Sequence, residues 1–80
     1  MSEKRRAILR TLADAAYGRT PTGVGIANGK SYDRASGWAC SGQSGLKQLQ
    51  IDGLAERNER GLYRMTTAGL VELRRLESQA

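Results

Sequence analysis

The side chains of this 80-residue sequence that could do chemistry are its arginines, lysines, glutamines and serines, because histidine is absent and Cys40 is the single cysteine. Without histidine the usual imidazole base of hydrolytic sites is missing. One cysteine cannot close an internal disulfide, and a structural zinc site needs several Cys or His ligands. No catalytic cluster, metal or cofactor is therefore expected. What remains is the chemistry of recognition by charge and hydrogen bonding. Thirteen Lys and Arg against eight Asp and Glu leave a formal charge of +5, which favours association with polyanions, above all nucleic acid. The same excess would also serve solubility, so its distribution matters more than its total. From Tyr17 to Ile51 the charged residues are Arg19, Lys30, Arg34 and Lys47 against a lone Asp33.

Two segments concentrate these groups. Residues 41–52 read as a helix capped by Ser41, with Gly42, Gly45, Leu46 and Leu49 on one side and Gly53 as its stop. Placing the leucines inward turns Ser44, Lys47 and Gln48 outward, with Gln43 at the edge. Gln can read adenine through two hydrogen bonds, Ser donates or accepts, and Lys serves guanine or phosphate. The competing reading is an ordinary solvated helix face. Ile51 projects outward too, where it would touch a thymine methyl, pack beneath a hairpin or meet a protein. The second segment is a hairpin, residues 54–58 with 62–66. It carries Arg57 and Arg64 on its strands, Arg60 at its tip and Gly61 at the position that needs positive φ. A tip arginine suits a narrow, negative minor groove; its alternative partner is Glu59 across a solvated turn.

One motif is rejected. The run Gly23-Val-Gly-Ile-Ala-Asn-Gly29-Lys30-Ser31 approaches a phosphate-binding P-loop, but the required first glycine falls on Val24 and no strand precedes it. Lys30 and the neighbouring amides stay candidates for a DNA phosphate contact.

The positioning elements follow from periodicity and punctuation. Ser2 caps a first helix over residues 3–16, with Ile8, Leu9, Leu12, Ala15 and Ala16 on its buried stripe and Arg6, Arg10 and Asp14 opposite. Residues 17–38 are interrupted by five glycines, each costing about 1 kcal/mol inside a helix. Thr20-Pro21 could start a short helix, or Ser31 could cap one through Tyr32, Arg34 and Ala35 that closes at Gly37. The second is preferred, with residues 22–26 as loop or short strand and residues 18–30 more mobile than the rest. Trp38 and Cys40 are expected to pack between helices, and Tyr17, Tyr32 and Tyr63 to sit at the core edge. Thr66 or Thr67 caps a last helix whose Leu70, Leu73 and Leu76 form a narrow stripe. Arg74 and Arg75 suit its C-terminal dipole.

Leu46-x-x-Leu49-x-x-x-Gly53-Leu54-x-x-Arg57, followed by Leu62-Tyr63-Arg64-Met65-Thr66-x-x-Gly69, resembles the winged-helix domains of MarR- and PadR-type regulators. Met65 stands where those families usually have Leu. The resemblance implies an α+β winged helix-turn-helix: a three-helix core, a two-stranded β-hairpin wing and a C-terminal helix, in a single domain over residues 1–80. It implies a helix over 41–52 in the major groove of double-stranded DNA and a wing on the flanking backbone or minor groove. The expected function is non-catalytic, sequence-specific duplex binding by a small transcriptional regulator. The expected contacts are Gln43, Ser44, Lys47, Gln48, Arg57, Arg60, Arg34 and Lys30. Such regulators commonly pair, and the Leu70–Leu73–Leu76 helix would supply a homodimer surface unless covering helix one uses it up. The rival is a winged-helix adaptor or inhibitor that docks on a larger protein through Ile51, Trp38 and the glycine-rich loop. No run of apolar residues is long enough to span a membrane and the N-terminal residues do not read as a signal segment, so a cytoplasmic location is expected.

Overall fold

In the computed structural model, which describes residues 2–15 and 17–79, the elements run α1 (Ser2–Ala13), α2 (Pro21–Ala27), α3 (Tyr32–Cys40), α4 (Leu46–Ile51), β1 (Ala55–Arg57), β2 (Tyr63–Met65) and α5 (Thr67–Ser78). This is the expected α+β architecture, a helical bundle with a two-stranded antiparallel hairpin and a C-terminal helix. Ile8, Leu9 and Leu12 of α1 sit at its centre. Around them pack Val24, Ala39, Leu46, Leu49, Ala55, Tyr63, Leu73 and Leu76, one or two from each element. With no Phe available, burial of these side chains, all but Tyr63 aliphatic, about 1.5–3 kcal/mol for each large one, is the main cohesive term.

α1 ends at Ala13, short of residue 16. The chain leaves it through a turn and reverses at Gly18, whose φ is +91°. Ser2 opens the helix rather than preceding it; its side chain, and Ala16 of the expected stripe, lie outside the described residues. Beyond the turn, the Arg19 amide donates to the Tyr63 carbonyl at 2.9 Å and the Tyr63 amide to the Arg19 carbonyl at 2.7 Å. Arg19 thus adds a one-residue third strand beside β2.

Residues 22–26 are helix, not loop or strand, which corrects the sequence expectation. Thr20 caps α2 by accepting from the Gly23 amide at 3.0 Å, and Pro21 occupies the first turn. At the other end Gly29 takes φ +81°. Its amide reaches the Ile26 carbonyl and the Lys30 amide reaches the Gly25 carbonyl, at 3.0 Å each. These are the paired bonds by which a left-handed glycine closes a helix. Ser31 does precede the next helix, without a side-chain capping bond, and α3 continues past Gly37 to Cys40.

The helix expected over 41–52 is shorter than its sequence suggests. Ser41 closes α3 instead of capping α4, residues 41–45 form turns, and α4 begins after Gly45. Gly42 at φ +74° breaks the run. Gly45 lies so close to the end of α3 that a Cβ there would fall 2.5 Å from the Ser41 carbonyl oxygen and 2.6 Å from the Cys40 carbonyl carbon. Gly53, at φ +77°, stops α4 as expected, with the Leu54 amide on the Leu49 carbonyl at 2.8 Å.

β1 and β2 pair Ala55 with Met65, Glu56 with Arg64 and Arg57 with Tyr63. Thr66 caps α5 through the Gly69 amide at 3.0 Å. Gly69 has a tertiary reason to be glycine, since a Cβ would collide with the Leu54 carbonyl oxygen. Leu73 and Leu76 are buried and Leu70 half-buried, and α5 packs on α1. Leu73 and Leu76 of the leucine stripe are therefore used within the chain. Among the described residues no helix is long and apolar enough to cross a membrane.

Candidate nucleic-acid interface

The α2–α3 pair is set by small residues. A Cβ on buried Gly25 would strike the backbone and Cβ of Ala35, so the two helices cross almost backbone to backbone. The turn between them is only residues 28–31. Asn28 fastens it to α1: its Nδ2 donates to Thr11 Oγ1 at 3.0 Å and to the Val24 carbonyl at 2.8 Å. Ala35 and Ala39 fill the inner side of α3. Tyr32, Asp33, Arg34, Ser36 and Gly37 are left exposed, and nothing lies within 4 Å of where a Gly37 Cβ would stand. The result is a slim, polar helix face packed closely on α2.

Trp38, at the edge of that face, is half-buried and carries two cations. Lys4 Nζ of α1 and Lys30 Nζ of the turn lie 4.9 and 5.0 Å from its ring centroid, within the range of cation–π attraction. Lys4 also donates to the Ser41 carbonyl at 3.1 Å. The indole is thus flanked by ammonium groups and does not form part of an open apolar patch. Cys40 is half-buried. Tyr63 is in the core, whereas Tyr17 and Tyr32, expected at its edge, are 89% and 81% exposed.

The sequence candidates separate into groups. Lys30 and Arg34 lie exposed on the turn and α3. Gln43 and Ser44 belong to the turn before α4, Gln43 exposed and Ser44 half-buried. Lys47 is exposed on α4, and half-buried Gln48 donates to Asp52 Oδ1 at 3.0 Å. Leu46 and Leu49 are fully buried as expected, and Ile51 is 76% exposed. The exposed face of α3 carries Arg34, a sequence candidate, together with Tyr32 and Ser36, which were not expected as site residues. Its signal was a small residue four before the turn glycine and another six after it, Gly25-Gly29-Ala35, which is what a close helix crossing around a tight turn requires.

The wing is built by its turn. Asn58 Oδ1 accepts from the Arg60 amide at 2.9 Å and the Leu62 amide at 3.0 Å, and Gly61 takes φ +80°. Arg64 pairs with Glu56 across the strands at 2.8 Å. Arg57 lays its guanidinium along Gly61. Among the described residues neither Arg57 nor Arg60 has an acidic partner, and Glu59 pairs with neither.

An ion-pair cluster ties α1 to Asp52 after α4 and to α5. Arg5 of α1 reaches Asp52 at 3.2 Å and Glu72 at 3.1 Å and donates to the Gln43 carbonyl at 3.4 Å. Arg75 holds Glu72 at 2.7 Å. The Arg75 hydrogen bond, helped by Arg5 and opposed by burial, pulls the Glu72 carboxyl down to about 2; the same contact raises Arg75. Arg10 pairs with Glu77, joining α1 to α5 a second time. Among the described residues no group of three or more His, Cys, Asp or Glu could hold a metal ion. Comparison with family models, curated proteins and solved structures finds no match.

Proposed function

We propose that this chain is a single winged-helix domain that binds double-stranded DNA in a sequence-specific, non-catalytic way, as small transcriptional regulators of the MarR and PadR type do. The observation that carries the reading is the α2–turn–α3 unit. Its Gly25–Ala35 crossing fixes a slim polar helix face on the outside of the bundle, and the chain also carries a hairpin whose Arg57 and Arg60 lack acidic partners among the described residues. In this reading α3 enters the major groove. Tyr32, Asp33, Arg34 and Ser36 face the base edges, and exposed Gly37 lets the helix backbone approach. Lys30 neutralises a phosphate beside the turn. Gln43 and Lys47 contact the backbone from the α4 side, with Ser44 and Gln48 supporting them, and the wing arginines reach the flanking minor groove.

The test is a mobility-shift titration on duplex DNA over a range of salt. Binding through several lysines and arginines must weaken steeply as salt rises. Saturable binding that is insensitive to salt, or no binding at low salt, rejects the reading. The docking alternative rests on one specific feature, the exposure of Ile51. It predicts that Ile51→Ser abolishes capture of a protein partner and leaves DNA binding unchanged.

A further inference from the structure

Beside the wing lies a cleft of about 640 Å³ lined by Tyr17, Arg57, Asn58, Glu59, Arg60, Leu62 and Arg64. An adjoining depression of about 270 Å³ shares Tyr17, Arg57, Asn58, Leu62 and Arg64 and adds Glu56. Three arginines against Glu59 make the larger cleft cationic. Two of them, Arg57 and Arg60, have no ion-pair partner among the described residues. Tyr17 is 89% exposed, so its ring is almost wholly free of the core. The backbone beside it lies close to the hairpin, because a Cβ at the next residue, Gly18, would sit 3.0 Å from the Tyr63 carbonyl oxygen and 3.1 Å from Leu62 Cβ. Strand alternation puts Leu62, Arg64, Glu56 and Asn58 on one side of the hairpin, where half-buried Leu62 gives an apolar patch, and Arg57 on the other, so that Arg57 joins the lining of the cleft with its guanidinium beside Gly61. The Asn58 carbonyl oxygen is used by the turn amides, and those bonds do not use its two Nδ2 hydrogens.

An exposed aromatic ring, an apolar patch, guanidinium groups and an amide donor are the complement of a planar ring that carries an anionic group. We propose that the cleft between Tyr17 and the wing is a nucleotide site, in which a nucleobase stacks on Tyr17 over Leu62 while its phosphate pairs with Arg57 and Arg60. Stacking of this kind is tolerant of base identity, and guanidinium–phosphate bonds are charge-assisted and two-pronged. The same chemistry has two sources, a free mononucleotide or an unpaired nucleotide of a strand. The site does not depend on the duplex reading, since it can be occupied with no duplex present. If that reading also holds, occupancy removes Arg57 and Arg60 from the wing's DNA contact.

The experiment titrates the full chain, without duplex, with a mononucleotide mixture (AMP, GMP, CMP, UMP), with the matching nucleosides, with inorganic phosphate and with a short oligothymidylate. Binding is followed by calorimetry and by amide shifts around Tyr17 and Leu62. The variants are Tyr17→Phe, Tyr17→Ala and Arg57→Ala. Their side chains are exposed and circular dichroism checks that each folds. The expected result is saturable nucleotide binding, stronger than that of nucleoside or phosphate alone. Tyr17→Phe keeps it, while Tyr17→Ala weakens it about tenfold, the order of one base–aromatic stack. Arg57→Ala weakens nucleotides but not nucleosides. Tighter binding of the mononucleotides assigns a free ligand, and tighter binding of the oligothymidylate assigns a strand. No saturable binding by either, equal binding of inorganic phosphate and nucleotides, or nucleotide binding indifferent to Tyr17→Ala overturns the proposal.

Discussion

The α2–α3 pair and the wing are both exposed and polar on their outer side, but they are held by opposite means. In the first, backbone meets backbone: Gly25 against Ala35 leaves no room for a methyl group, and Asn28 ties the turn to Thr11 of α1. In the second, a hydrogen-bonded turn around Asn58 shapes the hairpin, and the side chains it presents touch little of the core. The difference separates a rigid face from an adaptable one. A helix that must match a groove benefits from being positioned in advance, because less ordering is left for the moment of binding. Arginines at a hairpin tip can adjust to whatever backbone or ligand comes near.

Substitutions can break this contrast, and the largest effect is expected where backbones touch. Gly25→Val forces α2 and α3 apart and should cost about 3 kcal/mol or more, a large share of the stability of so small a domain. Thermal or urea unfolding measures it, and a loss below about 1 kcal/mol would mean that the crossing is loose.

The wing should behave in the reverse way. Replacing both Arg57 and Arg60 by Ala should leave the melting temperature nearly unchanged but lower duplex affinity about tenfold, with the salt slope reduced by about two. Arg60→Glu alone should bind worse than Arg60→Ala, since it replaces attraction by repulsion. Parent-like binding by all of these variants makes the wing a structural element only.

A smaller effect concerns the ion-pair cluster that ties α1 to Asp52 and α5. Glu72 has its folded pKa lowered from 4.5 to about 2. Its contribution is therefore fully present above pH 4.5 and is lost as the pH falls from there through about 2. On the order of 1–2 kcal/mol is at stake, because the cluster is partly solvated. Urea midpoints at pH 5, 3 and 2 should fall more for the parent than for Glu72→Gln; parallel declines remove Glu72 from the account.

The smallest effect is local. Asn58→Ala removes the acceptor for two turn amides and should cost about 1 kcal/mol, seen as faster amide exchange at residues 60–62. Exchange over residues 21–27 should stay slow in the same variant, and uniform acceleration across both regions would erase the contrast.

The same contrast explains what could be read in the residues alone. The wing, Gly53 and the Thr66 cap are local devices, in which a few neighbouring residues satisfy one another's backbone groups. They stand where Gly61, Gly53 and Thr66 indicate. The α2–α3 pair depends on a contact between residues ten apart in sequence. Gly25 costs helix propensity locally and repays it only through Ala35, so the glycine-rich stretch reads as loop until the partner is known. Ser41 misled for a related reason: a serine between two helical stretches can close one or cap the next, and Gly42 and Gly45 decide for closure. Of the candidate site, Lys30, Arg34, Lys47 and the wing arginines were read from charge, and all are exposed. The rest of the α3 face was not read, because Tyr32, Ser36 and Gly37 carry no distinctive chemistry until the crossing places them.

The central claim, that the rigid α3 face and the adaptable wing together form one duplex-binding surface, is tested most directly by amide shift mapping of the labelled chain with duplex DNA at low salt. The account predicts the largest changes at residues 30–37 and 57–61, smaller ones at Gln43 and Lys47, none at Val71 on the outer side of α5, and reversal of all of them when salt is added. Changes confined to Ile51 and Val71, or none while DNA is in excess, would contradict it.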